Sequence, residues 1–291
     1  MAELSINELI LQTEEQFKSV SDTPRLDAEL LLIESFNHIE NTDTYNRSYL
    51  RTWPEKSVST DVIKYFNHLS QQRLQDKPIA YILKRQDFWH FNLSVTEDTL
   101  IPRADTETLV ETALELLPDN TPLKILDLGT GSGAIALALA YERPLADVFA
   151  TDIHLATLQV AQINKEKYQL NNQLNNLHFL MSDWLSAFKY HQFDMIISNP
   201  PYIAPNDPHL EKLKYEPWRA LVAENNGLND YQKIIPLAKK HLKANGLLLV
   251  EHGYNQHIDV KKLFTQANYL DISQNSDYAK IIRVTYGINN T

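Results

Sequence analysis

Leu123-Lys124-Ile125-Leu126-Asp127-Leu128-Gly129-Thr130-Gly131-Ser132-Gly133 decides the fold of this chain. Leu123–Leu128 is a short apolar run of strand length, and the helical pattern of Ala134–Glu142 begins directly after Gly133. Three glycines at alternate positions let a backbone turn sharply and approach a ligand without Cβ clashes. A glycine-rich turn from strand to helix usually cradles a nucleotide, and the dinucleotide fingerprint is GxGxxG. Here the spacing is GxGxG behind an acid, Asp127.

Downstream, strands and helices alternate, the mark of an α/β sheet. The patterns predict strands at Asp147–Thr151, Leu177–Met181, Phe193–Ser198 and Leu247–Glu251. Helices are expected at Asp105–Leu117, Leu155–Tyr168 and Tyr231–Leu242, and Tyr269–Ser273 with Ile281–Tyr286 reads as a closing pair of strands. The expected topology has seven strands, five parallel crossovers and a terminal antiparallel pair.

Open α/β sheets bind ligands beyond the carboxyl ends of their strands. Asp152, 19 residues after Gly133, follows the second strand, where an acid can accept from both hydroxyls of a ribose. Asp183 and Trp184 follow the third strand; the ring can cover an adenine and the carboxylate can accept from its exocyclic amine. Asn199-Pro200-Pro201-Tyr202 follows the fourth. Each proline lacks an N–H and fixes its own φ. The segment is therefore stiff, presenting carbonyl oxygens and the Asn199 side chain in a set geometry. Two acceptors and a ring suit a planar substrate NH2 group.

The first 85 residues differ in pattern, with helical periodicity throughout. Ser5 and Glu8 form a capping box, Thr23 is placed to cap a helix that Pro24 opens, and Ser59 or Thr60 to cap another. Aromatic and β-branched residues around Asp87–Val95 predict a short hairpin. This gives a helical domain at 1–85, a hairpin linker at 86–100 and an α/β domain at 101–291.

Composition narrows the function. The 291 residues carry a formal charge of −10 and no cysteine. Disulfides and thiolate metal sites are thereby excluded, and ten scattered histidines show no HExxH pair, so no metal is expected. Neither the first 85 residues (10 basic, 13 acidic) nor the remainder (17 basic, 24 acidic) is a basic arm. Direct nucleic-acid binding is not expected from such a balance. No apolar stretch approaches the ~20 residues of a membrane span, and Met1–Ser5 does not open a signal peptide. A cytoplasmic protein fits these features, with a monomer as the expected state.

Taken together, the motifs carry a resemblance. GxGxG after the first strand resembles the cofactor loop of class I S-adenosylmethionine-dependent methyltransferases, and NPPY after the fourth resembles those that act on planar NH2 groups. Leu100-Ile101-Pro102-Arg103-Ala104-Asp105-Thr106-Glu107 closely resembles the LIPRPDTE segment of the peptide chain release factor glutamine methyltransferases. So do Arg25–Leu31, Pro78–Ile82, Phe88-Trp89, Ser182–Trp184, Asp207–Leu210, Glu216-Pro217, Ala220-Leu221 and Glu251-His252-Gly253. The resemblance spans nearly the whole chain. Departures are Ala104 for a usual proline, Lys84 and His90 where glycine is common, and a tail without the usual glycine near Arg283.

The resemblance implies a seven-stranded, doubly wound, Rossmann-like methyltransferase sheet with a small all-helical N-terminal domain. It implies S-adenosylmethionine as methyl donor, S-adenosylhomocysteine as product, and the glutamine of the Gly-Gly-Gln loop of class-1 release factors as acceptor. Gly129, Thr130, Gly131, Ser132, Gly133, Asp152, Asp183, Trp184 and Asn199 would hold the cofactor. Asn199, Pro200, Pro201 and Tyr202 would hold the substrate, with Asn199, Pro200 and Tyr202 at the chemistry. Spacing offers Arg103 a pairing with Glu107 one helical turn on, the resemblance offers both a role in shaping the site, and His252 is expected to be structural. Rival readings are a glutamine of a large-subunit ribosomal protein, an exocyclic amine of DNA or RNA, and a non-catalytic binding protein.

Overall fold

The structure is a computed structural model and describes residues 4–169 and 174–290. Its chain divides into two compact units, Met1–Lys84 and Arg85–Thr291.

The first unit is helical: α1 (Ile6–Phe17), α2 (Pro24–Glu40), α3 (Arg47–Thr52), α4 (Thr60–Leu74) and α5 (Ile79–Leu83). Ser5 and Glu8 close the expected capping box on α1, and Ser59 caps α4 by accepting the Val62 N–H. Pro24 does open α2, but Thr23 does not cap it. Its hydroxyl donates instead to Asp27 Oδ1 at 3.2 Å. Ile6, Phe17, Leu31, Leu32, Val62 and Phe66 form a fully buried centre, each such side chain contributing roughly 1.5–3 kcal/mol. A part-buried pair, Arg73 with Asp27 at 2.8 Å, joins α4 to α2.

The second unit opens with a hairpin, β1 (Arg85–Phe88) and β2 (Phe91–Ser94). A 3-10 turn at Ala104–Thr106 leads into α6 (Glu107–Leu116), then β3 (Lys124–Leu128), α7 (Ala134–Glu142), β4 (Asp147–Asp152), α8 (Leu155–Tyr168), β5 (Leu177–Met181) and β6 (Phe193–Ser198). Two short helices, α9 (Trp218–Leu221) and α10 (Glu224–Gly227), precede α11 (Asn229–His241) and β7 (Leu242–Glu251). The chain then runs through α12 (His257–Gln266), β8 (Leu270–Ser276) and β9 (Ile282–Ile288). The hairpin is fastened to α8: Asn164 Oδ1 accepts the Ser94 N–H at 2.6 Å, and the Tyr168 hydroxyl accepts that of Asn92.

The sheet has seven strands in the order β5-β4-β3-β6-β7-β9-β8. β3 to β7 are parallel, and β9 runs antiparallel to both β7 and β8. Five parallel strands need four links rather than the five crossovers expected. The chain leaves β3 towards β4 and β5 and returns to place β6 on its other side. That reversal opens a crevice at the carboxyl ends of β3 and β6, where such sheets bind ligands. Alternation along the strands feeds two cores: Ile125, Met195 and Ile197 face α7, while Leu126, Ile196 and Leu248 face α11 and α12. Among the described residues no helix is long and apolar enough to cross a membrane.

Candidate active site

The glycine loop leaves β3 with Gly129 at φ +72° and Gly131 at φ +58°, a left-handed conformation that side chains resist. A Cβ on Gly131 would meet no protein atom within 4 Å, so the space above it belongs to a cavity. At Gly129 the nearest atom is Cζ3 of Trp184, at 3.7 Å.

Gly133, at φ +86°, shares that conformation and is also tightly placed. A Cβ there would lie 3.2 Å from that of Ala161, closer than ordinary contact, so a side chain would crowd the start of α7 against α8. Thr130 and Ser132 are buried within the loop. The Thr130 hydroxyl donates to Asp127 Oδ2 at 2.6 Å, and the Ser132 carbonyl accepts from Asn164. Asp127 is buried outright, and burial pushes its carboxyl up to about 7 against the Thr130 hydrogen bond.

A cavity of about 320 Å³ lies over this loop. Gly129, Gly131, Asp152, Asp183, Trp184 and Asn199 line it; Thr130, Ser132 and Gly133 do not. Asp152 is held by two backbone donors, Gly131 at 3.3 Å and His154 at 3.0 Å, one on each oxygen. Each oxygen keeps a lone pair for a further donor. Arg219 leans across to Asp98, both on the cavity wall, in an exposed contact of 3.5 Å.

A second cavity of about 330 Å³ adjoins it, lined by Arg103, Pro200, Tyr202, His209 and Lys212 among others. Asn199 lines both, with Leu100 and Ala220. Its Nδ2 donates to Thr106 Oγ1 at 3.2 Å, and its Oδ1 is buried with no partner among the described residues. An orphaned buried acceptor costs about 1–3 kcal/mol and is rare in folded chains. Tyr202 is fixed through its backbone, where Gln256 Nε2 donates to its carbonyl at 2.9 Å. Burial raises the Tyr202 phenol well above its usual value, with the Glu251 charge adding to the effect, so the ring stays neutral.

Three comparisons bear on this geometry. Residues 8–83 match the family model "PrmC N-terminal domain", and residues 105–215 match "Methyltransferase small domain". A "Release factor glutamine methyltransferase" of Coxiella burnetii is 41% identical over 281 residues, 97% of this chain and 98% of that protein. One of Escherichia coli is 41% identical over 269 residues, covering 92% and 93%.

The chain belongs to the release factor glutamine methyltransferases. Among solved structures, a 16S rRNA N2 methyltransferase of Thermus thermophilus in complex with AdoMet and guanosine shares the fold at a TM-score of 0.52. It is 19% identical, and the match covers 71% of this chain and 50% of that one.

Not every side chain of this methyltransferase sits where spacing placed it. Arg103 pairs with Glu216 rather than Glu107. Glu216 also accepts the Ile101 N–H at 3.1 Å, which binds the segment before α6 to the loop after β6. Glu107 accepts the Trp89 N–H at 2.8 Å, at the tip of the hairpin. Phe88 is buried in the sheet core, and Trp89 donates from its ring to Glu142. His252 is buried, with Nε2 2.9 Å from Thr285 Oγ1, and burial pulls its imidazole down to about 4. Thr106 and Glu251, both beside Asn199, escaped the sequence reading of the methyltransferase site. A glutamate closing an otherwise apolar strand, Leu247–Val250, was the available signal.

Proposed function

We propose that this protein transfers a methyl group from S-adenosylmethionine to the side-chain amide nitrogen of the glutamine in the Gly-Gly-Gln loop of class-1 peptide chain release factors. One observation carries the reading: Asn199 stands between two cavities with a buried oxygen that has no hydrogen to accept.

The first cavity suits the cofactor. Gly129 and Gly131 admit close backbone approach, Asp152 takes the ribose hydroxyls, and Asp183 with Trp184 takes the adenine. With Asp98 paired to Arg219 and Asp230 to Lys233, Asp152 and Asp183 leave the lining net negative, which favours a cation. S-adenosylmethionine, when bound, supplies an electrophilic methyl on a sulfonium whose leaving group is a neutral thioether.

The second cavity takes the glutamine loop. An amide nitrogen is a weak nucleophile because its lone pair is delocalised into the carbonyl. Asn199 Oδ1 and the Pro200 carbonyl each accept one N–H, which holds the nitrogen and directs its remaining electron density at the methyl. Pro201 stiffens the segment, and Tyr202 packs on the amide plane and fixes its rotation. Orientation of this kind supplies up to ~7–11 kcal/mol of barrier reduction, so no dedicated general base is assigned; the surplus proton passes to water after transfer. Tyr202, kept neutral by burial, does not serve as one.

The helical residues 1–85 recognise the release factor, since one glutamine in a short loop offers little specificity. The reaction is placed in the cytoplasm, where release factors meet ribosomes. The test uses labelled S-adenosylmethionine and an unmethylated class-1 release factor, with tryptic peptides read by mass spectrometry. One methyl gained on the Gly-Gly-Gln glutamine is the expected result. No gain, with cofactor binding intact, would overturn the substrate and send the search to ribosomal proteins and nucleic acid.

A further inference from the structure

We infer that Glu251 is a positioning residue that sets the rotation of the Asn199 amide and keeps Oδ1 turned towards the reacting nitrogen. The inference rests on the acceptor role of Asn199 proposed above.

Register brings the two together. In the parallel pair β6–β7, Ser198 lies opposite Val250, so Asn199 leaves the sheet beside Glu251. Glu251 is 2% exposed, and Oε2 of its carboxyl has no partner among the described residues. Thr106 and Asn199 stand beside the carboxyl and favour its charged form, and Thr106 Oγ1 accepts from Asn199 Nδ2 at 3.2 Å.

The direction of these bonds fixes the amide. A carboxylate only accepts, so it draws the Asn199 NH2 group and repels the carbonyl oxygen. The Thr106 hydroxyl already accepts from Asn199 Nδ2, and a carboxylate beside it draws the hydroxyl's own hydrogen, which leaves Asn199 only lone pairs to meet. Both neighbours therefore select one of the two amide rotations. The same choice leaves Oδ1 unpaired and available for a substrate N–H. An amide turned the other way would offer the substrate two hydrogens where it needs an acceptor.

A buried carboxylate short of partners is a poor way to gain stability. Burial raises the Glu251 carboxyl to about 7, opposed by Thr106, Arg283 and Asn199 and assisted by Asp105. The other groups facing it are Tyr202, whose phenol feels its charge, and Tyr231, whose hydroxyl donates to the Glu251 carbonyl at 2.7 Å. Protonated, Glu251 becomes a donor and stabilises the wrong amide rotation.

Two variants and two readouts test this. In Glu251→Leu the methyl-transfer kcat should fall about 100-fold, the scale of a small misplacement at a reacting centre. In Glu251→Gln, whose oxygen can still accept, it should fall less, and the acidic limb of the wild-type kcat profile should vanish. KM for the release factor and Kd for S-adenosylmethionine should not rise with it, and Tm should not fall; a merely structural role would lower Tm and spare kcat.

Independently of turnover, selective 15N-asparagine labelling resolves the Asn199 NH2 pair, assigned by its loss in Asn199→Asp. In wild type that pair should shift with pH, and in Glu251→Gln it should move and stop titrating. An unchanged NH2 pair in Glu251→Gln, or wild-type kcat in both variants, overturns the inference. A wild type inactive on release factors whose NH2 pair still responds to Glu251 would sink the proposed substrate and uphold the positioning.

Discussion

Gly227→Ala should cripple this enzyme from outside its cavities. Gly227 ends α10 at φ +81°, and a Cβ there would lie 2.0 Å from the Tyr202 carbonyl oxygen and 2.6 Å from Gln256 Nε2. Ordinary contact begins near 3.4 Å, so the Tyr202 backbone must retreat by about an ångström or more. Left-handed alanine costs ~1–2 kcal/mol, and losing the Gln256 bond to Tyr202 costs ~1 kcal/mol more. The total of about 2–3 kcal/mol corresponds to a Tm lower by roughly 5–10 °C for a domain of this size. The shift falls on the segment that holds the substrate amide, where such misplacement costs about 100-fold in kcat. Cofactor affinity should hold, because the glycine loop and Asp152 lie on other strands. Differential scanning fluorimetry and single-turnover methyl transfer would measure both effects. A variant with wild-type Tm and wild-type kcat would show that Gly227 does not brace Tyr202, and the reasoning would fail.

Asn199→Ala should abolish turnover while calorimetry finds cofactor affinity within a few fold; wild-type-like turnover would remove the acceptor role. Asp152→Ala should do the reverse, weakening cofactor binding, and unchanged affinity would remove the ribose assignment. Glu251 also makes a pH prediction. Its carboxyl titrates near 7 in the fold against an ordinary value of 4.5, so between those values the native state keeps a proton that the unfolded chain has lost. Stability therefore falls as pH rises through that window. Glu251→Gln does not titrate and should gain on wild type across it, by up to about 3 kcal/mol; parallel Tm profiles for the two proteins would contradict this.

The sheet and its ligand-binding end were readable because they are local. Apolar runs such as Phe193–Ser198 give strands, and alternate glycines give the turn after β3. Sequence order placed Asp152, Trp184 and Asn199 at the same end of the sheet, and the cavity over the glycine loop does collect them. Strand order beyond β7 was less legible: β9 enters between β7 and β8, a pairing set by partners distant in sequence. Arg103 shows the same limit more sharply. Spacing offers Glu107, one turn away, whereas the fold supplies Glu216, which is buried and needs a counter-charge. Glu251 was visible as a glutamate at the end of an apolar strand, but its neighbour Thr106 comes from a turn 145 residues earlier. Only the register of β6 on β7 puts Asn199 beside it.

The unpaired oxygen of Asn199 also makes the site count hydrogens. In the binding mode proposed above, a glutamine amide brings two, one for Asn199 Oδ1 and one for the Pro200 carbonyl. A deamidated release factor brings a carboxylate with none, and its negative charge would face acceptors alone. In that mode such damaged substrate would be refused before any chemistry. After one transfer the amide keeps a single hydrogen, so one of the two acceptors is again left empty. The product would thereby be held less well than the substrate it came from, and the same two oxygens that start the reaction would stop it at one methyl.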